Sequence, residues 1–297
     1  MINEQEPVPP THRALRVLAS YRRQGSSWPL LIETESEPCF TKLRGAAEGT
    51  AALVAEIIVA GLAQALGLRV PRRALLLIDE HLVCEDGDAE LADLLRASRG
   101  VNLGFQFLEG ARDFRPGDLD RVGADEASTI VWLDWLVMNP DRTPRNPNLL
   151  IWKGDLWLID HGAALVFHHD WPGVTEDSPR HLMFSTESHV LGKKAVQLAE
   201  WDPLLHERLD RDTVKAAVRA VPDDFLWPLL PRGASAGAPA RRREAYSAFL
   251  WKRLKPPRPF EAAAPAFDAE RHSIVLNSAT QGSTESDYPV SPKELEI

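Results

Sequence analysis

Within residues 132–162, W-L-D-W-L-V-M-N-P-D-R-T-P-R-N-P-N-L-L-I-W-K-G-D-L-W-L-I-D-H-G, four side chains that could hold a metal ion or move a proton gather at the ends of two short strands: Asp141, Asn146, Asn148 and Asp160. Two carboxylates and two amides in one small volume suit phosphoryl transfer. That chemistry needs one Asp to orient and deprotonate an acceptor hydroxyl, and Asn and Asp oxygens to hold Mg²⁺. Asn-Pro-Asp, Asn-Pro-Asn and Asp-His-Gly are also good turn formers, so any one of them alone reads first as a loop closure. Their combination is what points to a site.

The elements around them must bring them together. Ile130, Val131, Leu133, Leu136 and Val137 recur at helical spacing, which leaves Asp134 toward solvent. Asn139-Pro140 ends that helix, because proline lacks the N–H and pushes its predecessor out of α geometry. Two apolar runs follow, 149–152 and 156–159, with Lys153-Gly154-Asp155 as a three-residue hairpin loop. A hairpin there sets Asn148 opposite Asp160, with Asn146 one step further out. Asp141 lies on the loop that enters it.

D-x-x-x-x-N, a hairpin and D-x-G resemble the catalytic-loop and metal-loop layout of kinase-like phosphotransferases. The text N-P-D-R-T-P-R-N-P-N-L-L…L-W-L-I-D-H-G resembles the HipA-like kinase family in particular. Asn-Pro-Asp stands where eukaryotic protein kinases have His-Arg-Asp, and Asp-His-Gly replaces Asp-Phe-Gly. The resemblance implies Asp141 as the catalytic Asp, Asn146 and Asp160 as metal ligands, and ATP with Mg²⁺ as cofactors. Asn148, facing Asp160, and His161, between Asp160 and Gly162, are further candidates on the nucleotide side.

Upstream, residues 15–20, 30–34 and 38–43 read as short strands of a small antiparallel sheet, with Lys42 near its end. Residues 51–68 form a helix that is apolar nearly all round and long enough to raise the question of a membrane span. Glu56, Gln64 and the many small residues argue instead for a helix buried in protein. A carboxylate buried there needs a partner, and the family layout offers one: Lys42, reaching both Glu56 and the nucleotide phosphates. The other reading leaves Glu56 in solvent. Residues 75–78 and 102–108 are the next strands, 89–98 a short polar helix, and Glu109-Gly110 the place of a hinge. No G-x-G-x-x-G or Walker-type loop occurs near this sheet, so the phosphate-covering loop is unidentified, and residues 24–27 are a weak candidate for it. Carboxylates and arginines of 111–124 read as solvated surface.

Past Gly162, residues 171–189 are rich in Pro, Gly, Ser and acids. Helical patterns follow at 192–201, 203–220 (Asp210 or Asp212 as cap) and 241–254. The histidines, including 161, 168, 169, 181 and 189, lack metal-ligand spacing and read as ordinary polar residues. Residues 256–297 read as a disordered tail.

With 297 residues and 44% hydrophobic content the chain can bury a sizeable core, and a net charge of −9 gives no reason to expect direct nucleic-acid binding. Two cysteines at 39 and 84 make no metal-spaced pair. The first ten residues have no basic stretch and no apolar run of a secretory signal, so the expected location is the cytoplasm, with no membrane partner. The expected fold is α+β and two-lobed, protein-kinase-like: an N-terminal sheet-based lobe (1–108), a mainly helical lobe (109–255) and the tail. The expected function is Mg- and ATP-dependent transfer of the γ-phosphoryl group to a hydroxyl, by family resemblance on a protein Ser/Thr. A small-molecule acceptor and a non-catalytic nucleotide-binding protein are the competing readings. A small DNA-binding partner protein is a further option that the family brings.

Overall fold

A computed structural model describes residues 8–21, 28–181 and 185–260. Its elements run in the order β1 (Thr11–Ser20), β2 (Leu30–Thr34), β3 (Cys39–Lys42), α1 (Gly49–Ala65), β4 (Arg73–Ile78), α2 (Ala89–Ala97), β5 (Gly100–Gln106), β6 (Arg112–Asp113), α3 (Ala124–Leu136), β7 (Leu149–Trp152), β8 (Asp155–Leu158), α4 (Leu198–Arg208), α5 (Arg211–Arg219), α6 (Asp223–Leu226) and α7 (Ala238–Leu254). The mixed α+β class is as expected, and the strand–Lys–helix–strand, helix–loop–hairpin order is present.

The first sheet differs from expectation. Its strands close into a barrel in the order β1-β2-β3-β5-β4, and the closing pair, β1 with β4, is parallel. A ten-residue β1 spans enough length to pair antiparallel with β2 and parallel with β4, so no open antiparallel sheet edge remains between them. The barrel packs a small core of its own that includes Leu30, Ile32, Leu76 and Ile78. The second sheet, β6-β7-β8, lies within the helical part of the chain.

The main core is built round α1. Thirteen of its residues are buried, Glu56 among them, and they pack with α3, α5 and α6 in one hydrophobic cluster. Small residues permit that embedding: a Cβ on Gly61 would stand 3.0 Å from the Cβ of Ala217 in α5. The near-absence of a polar face on α1 is therefore a tertiary requirement. Among the described residues no helix is long and apolar enough to cross a membrane.

Helix α3 is also buried all round, and this overturns the expectation that Asp134 faces solvent: its side chain is fully buried. The C-terminal carbonyls of α3 are capped from α7, where Arg253 donates to Trp135 O at 2.6 Å and Leu136 O at 2.8 Å. Residues 203–220 form two helices, α4 and α5, broken before Asp210, which caps α5 by accepting from Thr213 N–H at 2.7 Å. Pro203 sits inside α4. In the connector before α3, Asp118 is buried and bidentate with Arg112, contrary to the solvated reading.

Residues 256–260 are no loose tail. Arg258 forms a bidentate pair with the buried Asp202, which also accepts from Trp132 Nε1 at 2.7 Å, and Phe260 packs edge-on against Trp135. Residues 24–27, a candidate phosphate loop, and residues 261–297, most of the expected tail, lie outside the described residues, as do residues 1–7.

Candidate active site

The β7–β8 hairpin turns on two residues, not three. Lys153 and Gly154 both have positive φ, 52° and 87°, which matches the right-handed twist of the flanking strands. Asp155 is already paired with Trp152, and the register Leu149↔Leu158 follows. The open end is shifted accordingly: Asn148 lies opposite Ile159, whose N–H donates to Asn148 O at 3.1 Å, and Asp160 is one step beyond. Asn148 and Asp160 themselves have φ of 49° and 54°. Among side-chain-bearing residues, Asn and Asp adopt that left-handed conformation most readily. Their types thus serve the backbone as well as the chemistry.

The loop from α3 into the hairpin is closed on itself. Asp141 N–H donates to Asn139 Oδ1 at 3.1 Å, and residues 143 and 146 exchange backbone bonds at 3.0 and 3.1 Å. Asp141 Oδ2 accepts from two amides, Asn146 Nδ2 at 2.8 Å and Asn148 Nδ2 at 3.0 Å. The carboxylate is held in one orientation. Each amide that donates to Asp141 presents its own carbonyl oxygen elsewhere, as a metal ligand requires.

Lys42, the last residue of β3, joins this centre from the barrel. Its Nζ donates to Glu56 Oε1 at 2.5 Å and to Asp160 Oδ1 at 2.6 Å. The buried reading of Glu56 is therefore the one observed. Burial alone would lower the Lys42 pKa, but Glu56 and Asp160 outweigh it and hold the ammonium charged. Burial pushes Glu56 up, with Lys42 opposing. Glu56 Oε1 also accepts from the His161 N–H at 3.0 Å, so α1, β3 and the metal loop meet at one oxygen.

Gly162 lets that loop lie directly on α1: a Cβ there would stand 3.2 Å from Ala52 Cβ and 3.7 Å from Glu48 Oε2. Glu48, the residue before α1, thereby brings a carboxylate beside the metal loop that sequence reasoning did not single out.

His161 occupies a different place from the one expected. Its side chain is buried, its Nδ1 is 3.2 Å from Arg142 Nη2, and burial and that guanidinium push its pKa down to about 3. Arg142 can only donate, so Nδ1 accepts and the neutral ring carries its proton on Nε2. A seat against Arg142 replaces the expected contact with nucleotide or metal shell.

Arg142 is the residue that sequence reasoning missed. Wholly buried, it donates through Nε to Asp134 at 2.6 Å and through Nη1 to the carbonyl oxygens of Asn148 and Ile159. Asp134 accepts also from Asn139 Nδ2 and His189 Nε2, both at 2.9 Å. Burial would raise the Asp134 pKa, but Arg142 and His189 hold it well below the usual carboxylate range. The signal was available: Asp134 stands alone among the apolar residues of the second half of α3, and a carboxylate buried there requires a partner.

Asp160, Asn146 and Asp141 are thus brought to one end of one hairpin, and Lys42 and Glu56 to Asp160. Among the described residues no three of His, Cys, Asp and Glu form a metal cage. Mg²⁺ in phosphoryl transfer needs none, being held by one or two protein oxygens and by phosphates. The donor set fits such an ion: two carboxylates, Glu56 and Asp160, share a single ammonium, which leaves a surplus of negative charge. Trp152 Nε1 donates to Glu109 O at 2.8 Å and ties the hairpin to the segment expected as a hinge.

Comparison with known proteins agrees in kind. A solved structure of the proinflammatory kinase CtkA from Helicobacter pylori matches with 12% identity, over 82% of this chain and 94% of that one, at a TM-score of 0.49, a likeness too slight to carry weight. No curated protein matches the chain. The family model of the HipA-like kinases matches residues 16–232, well over half of the sequence. The chain belongs to the HipA-like kinase family, and its activity class is that of a kinase-type phosphotransferase.

Proposed function

We propose that the protein binds Mg·ATP at the end of the β7–β8 hairpin and transfers the γ-phosphoryl group to a hydroxyl, on a protein Ser or Thr. The observation that carries this reading is a division of labour between two carboxylates. Asp160 is ion-paired to Lys42, whereas Asp141 stands apart from that pair and is held by two amides.

Lys42, with its remaining N–H, positions phosphate oxygens, and Glu56 holds the ammonium in place. Asp160 and Asn146 would hold Mg²⁺, which neutralises charge on the triphosphate. Asp141 orients the acceptor hydroxyl and takes its proton, so that the oxygen attacks phosphorus in line and ADP leaves. Asn148 steadies Asp141. In such a transfer there is little covalent work for the protein, and rate comes from positioning and charge.

The test is transfer from γ-labelled ATP by the purified chain, with and without Mg²⁺, to itself, to protein acceptors and to small alcohols, followed by identification of the labelled residue. Mg-dependent phosphoserine or phosphothreonine is the expected result. Label only on small alcohols would move the acceptor class. Tight Mg·ATP binding without transfer to anything would overturn the reading in favour of a non-catalytic nucleotide-binding protein.

A further inference from the structure

The segment just before α4 reaches into the core behind the catalytic loop. Residues 186–192 form a tight turn in which His189 N–H donates to Thr186 O at 3.3 Å and Gly192 N–H to His189 O at 3.0 Å. Only glycine fits at its end, since a Cβ on Gly192 would stand 1.8 Å from Thr186 O. Leu191 anchors the turn in the main core, and Val190 N–H donates to Arg142 O at 3.1 Å.

That turn fixes the imidazole of His189. Leu191 N–H donates to His189 Nδ1 at 3.0 Å, so Nδ1 is unprotonated and Nε2 carries the hydrogen. Nε2 in turn donates to Asp134 Oδ2 at 2.9 Å, the same oxygen that takes Arg142 Nε at 2.6 Å. Arg142 then spreads its guanidinium over Asn148 O, Ile159 O and His161 Nδ1. A continuous run of buried donors and acceptors therefore leads from the 186–192 turn to both loops of the site. One branch ends on the carbonyl of Asn148, whose side chain holds Asp141; the other ends next to Asp160.

We propose that His189 is a positioning residue for phosphoryl transfer: through Asp134 and Arg142 it fixes the catalytic loop and the metal loop relative to each other. Its turnover consequence rests on the kinase reading above, whereas its effect on the two loops does not. His189 touches neither nucleotide nor acceptor in this scheme. The 186–192 turn, held at Asp134 through His189, supports that geometry.

The test compares wild type with His189→Ala, His189→Phe (ring volume kept, donor lost) and His189→Gln (a donor of similar reach kept). Backbone hydrogen exchange at residues 143, 146 and 159 is read beside kcat and KM for Mg·ATP. The alanine and phenylalanine variants are expected to exchange at least about tenfold faster at those amides, with kcat down about 10–100-fold and KM within about threefold. His189→Gln is expected to recover most of both effects. Unchanged exchange in His189→Ala and His189→Phe would overturn the proposal. So would faster exchange with kcat intact, or a loss in His189→Gln equal to that in the other two. Absence of transfer by the wild-type protein would count against the kinase reading alone, and the exchange comparison would still decide whether His189 fixes the loops.

Discussion

Lys42 and Asp160, 118 residues apart in the chain, are joined by a 2.6 Å ion pair, and the same ammonium reaches Glu56 at 2.5 Å. One cation thus ties the barrel, α1 and the metal loop. Its removal strands a wholly buried carboxylate, so Lys42→Met is expected to cost roughly 3–5 kcal/mol of stability in addition to phosphate binding. The double variant Lys42→Met/Glu56→Gln, with no buried charge left at position 56, should regain most of the melting temperature and none of the turnover. Thermal melts and an ATP-turnover assay on both variants separate the effects. A single variant as stable as wild type would contradict the buried pairing.

Gly162→Val should displace the metal loop from α1, because a Cβ at that position already stands 3.2 Å from Ala52 Cβ. The expected outcome is a weakened Lys42–Glu56–Asp160 cluster and a loss of turnover of about 10²-fold, the scale associated with a misplacement of about 1 Å. Activity close to wild type would mean that the loop does not need this close approach.

Asn148 serves both as a donor to Asp141 and as a residue at φ 49°. Two substitutions distinguish the roles. Asn148→Gly keeps the backbone at ease and loses the amide, so turnover should fall with little loss of stability. Asn148→Ala loses both and should also be destabilised, by about 1 kcal/mol more than the glycine variant. Equal melting temperatures for the two would contradict the backbone role.

Acidification should destabilise the fold from just below neutrality. Burial pushes both His161 and His168 down to about 3 from an ordinary 6.5. Below 6.5 the unfolded chain takes up protons at these sites and the folded chain does not, so stability is lost as pH falls toward 3, by about 1.4 kcal/mol per pH unit for each ring. Asp134, held low by its partners, adds a loss only below its ordinary value of 3.8, and Glu56, pushed up by burial, opposes the trend near its own range. Melting temperatures between about pH 7.5 and 5 should fall, and less steeply in His161→Gln. A flat profile, or one unaltered by that substitution, would contradict the buried neutral rings.

The hairpin was legible in the sequence because two short apolar runs flank a glycine-containing turn, and that turn sets the neighbourhood of Asp141, Asn146 and Asp160. The apolar helix showed that Glu56, if buried, needs a cation; that Lys42 is this cation came from the family resemblance, and a solvent-facing Glu56 was the equal alternative. The barrel closure was not legible, since parallel pairing of β1 with β4 depends on contacts far apart in sequence and leaves no local sign. Helical periodicity misplaced Asp134 because it assumes one solvated face, and α3 has none. His189 was hidden for the same reason: its partner is a residue 55 positions away that the periodicity had assigned to solvent.

The central claim, that Asp141 serves the acceptor and Asp160 the metal and phosphates, is tested most directly by calorimetric Mg·ATP titration beside an ATP-turnover assay on wild type, Asp141→Asn and Asp160→Asn. Asp141→Asn should bind Mg·ATP nearly as wild type does and transfer orders of magnitude more slowly. Asp160→Asn should lose metal-dependent binding together with transfer. Turnover untouched by Asp141→Asn, or Mg·ATP binding untouched by Asp160→Asn, would contradict the assignment.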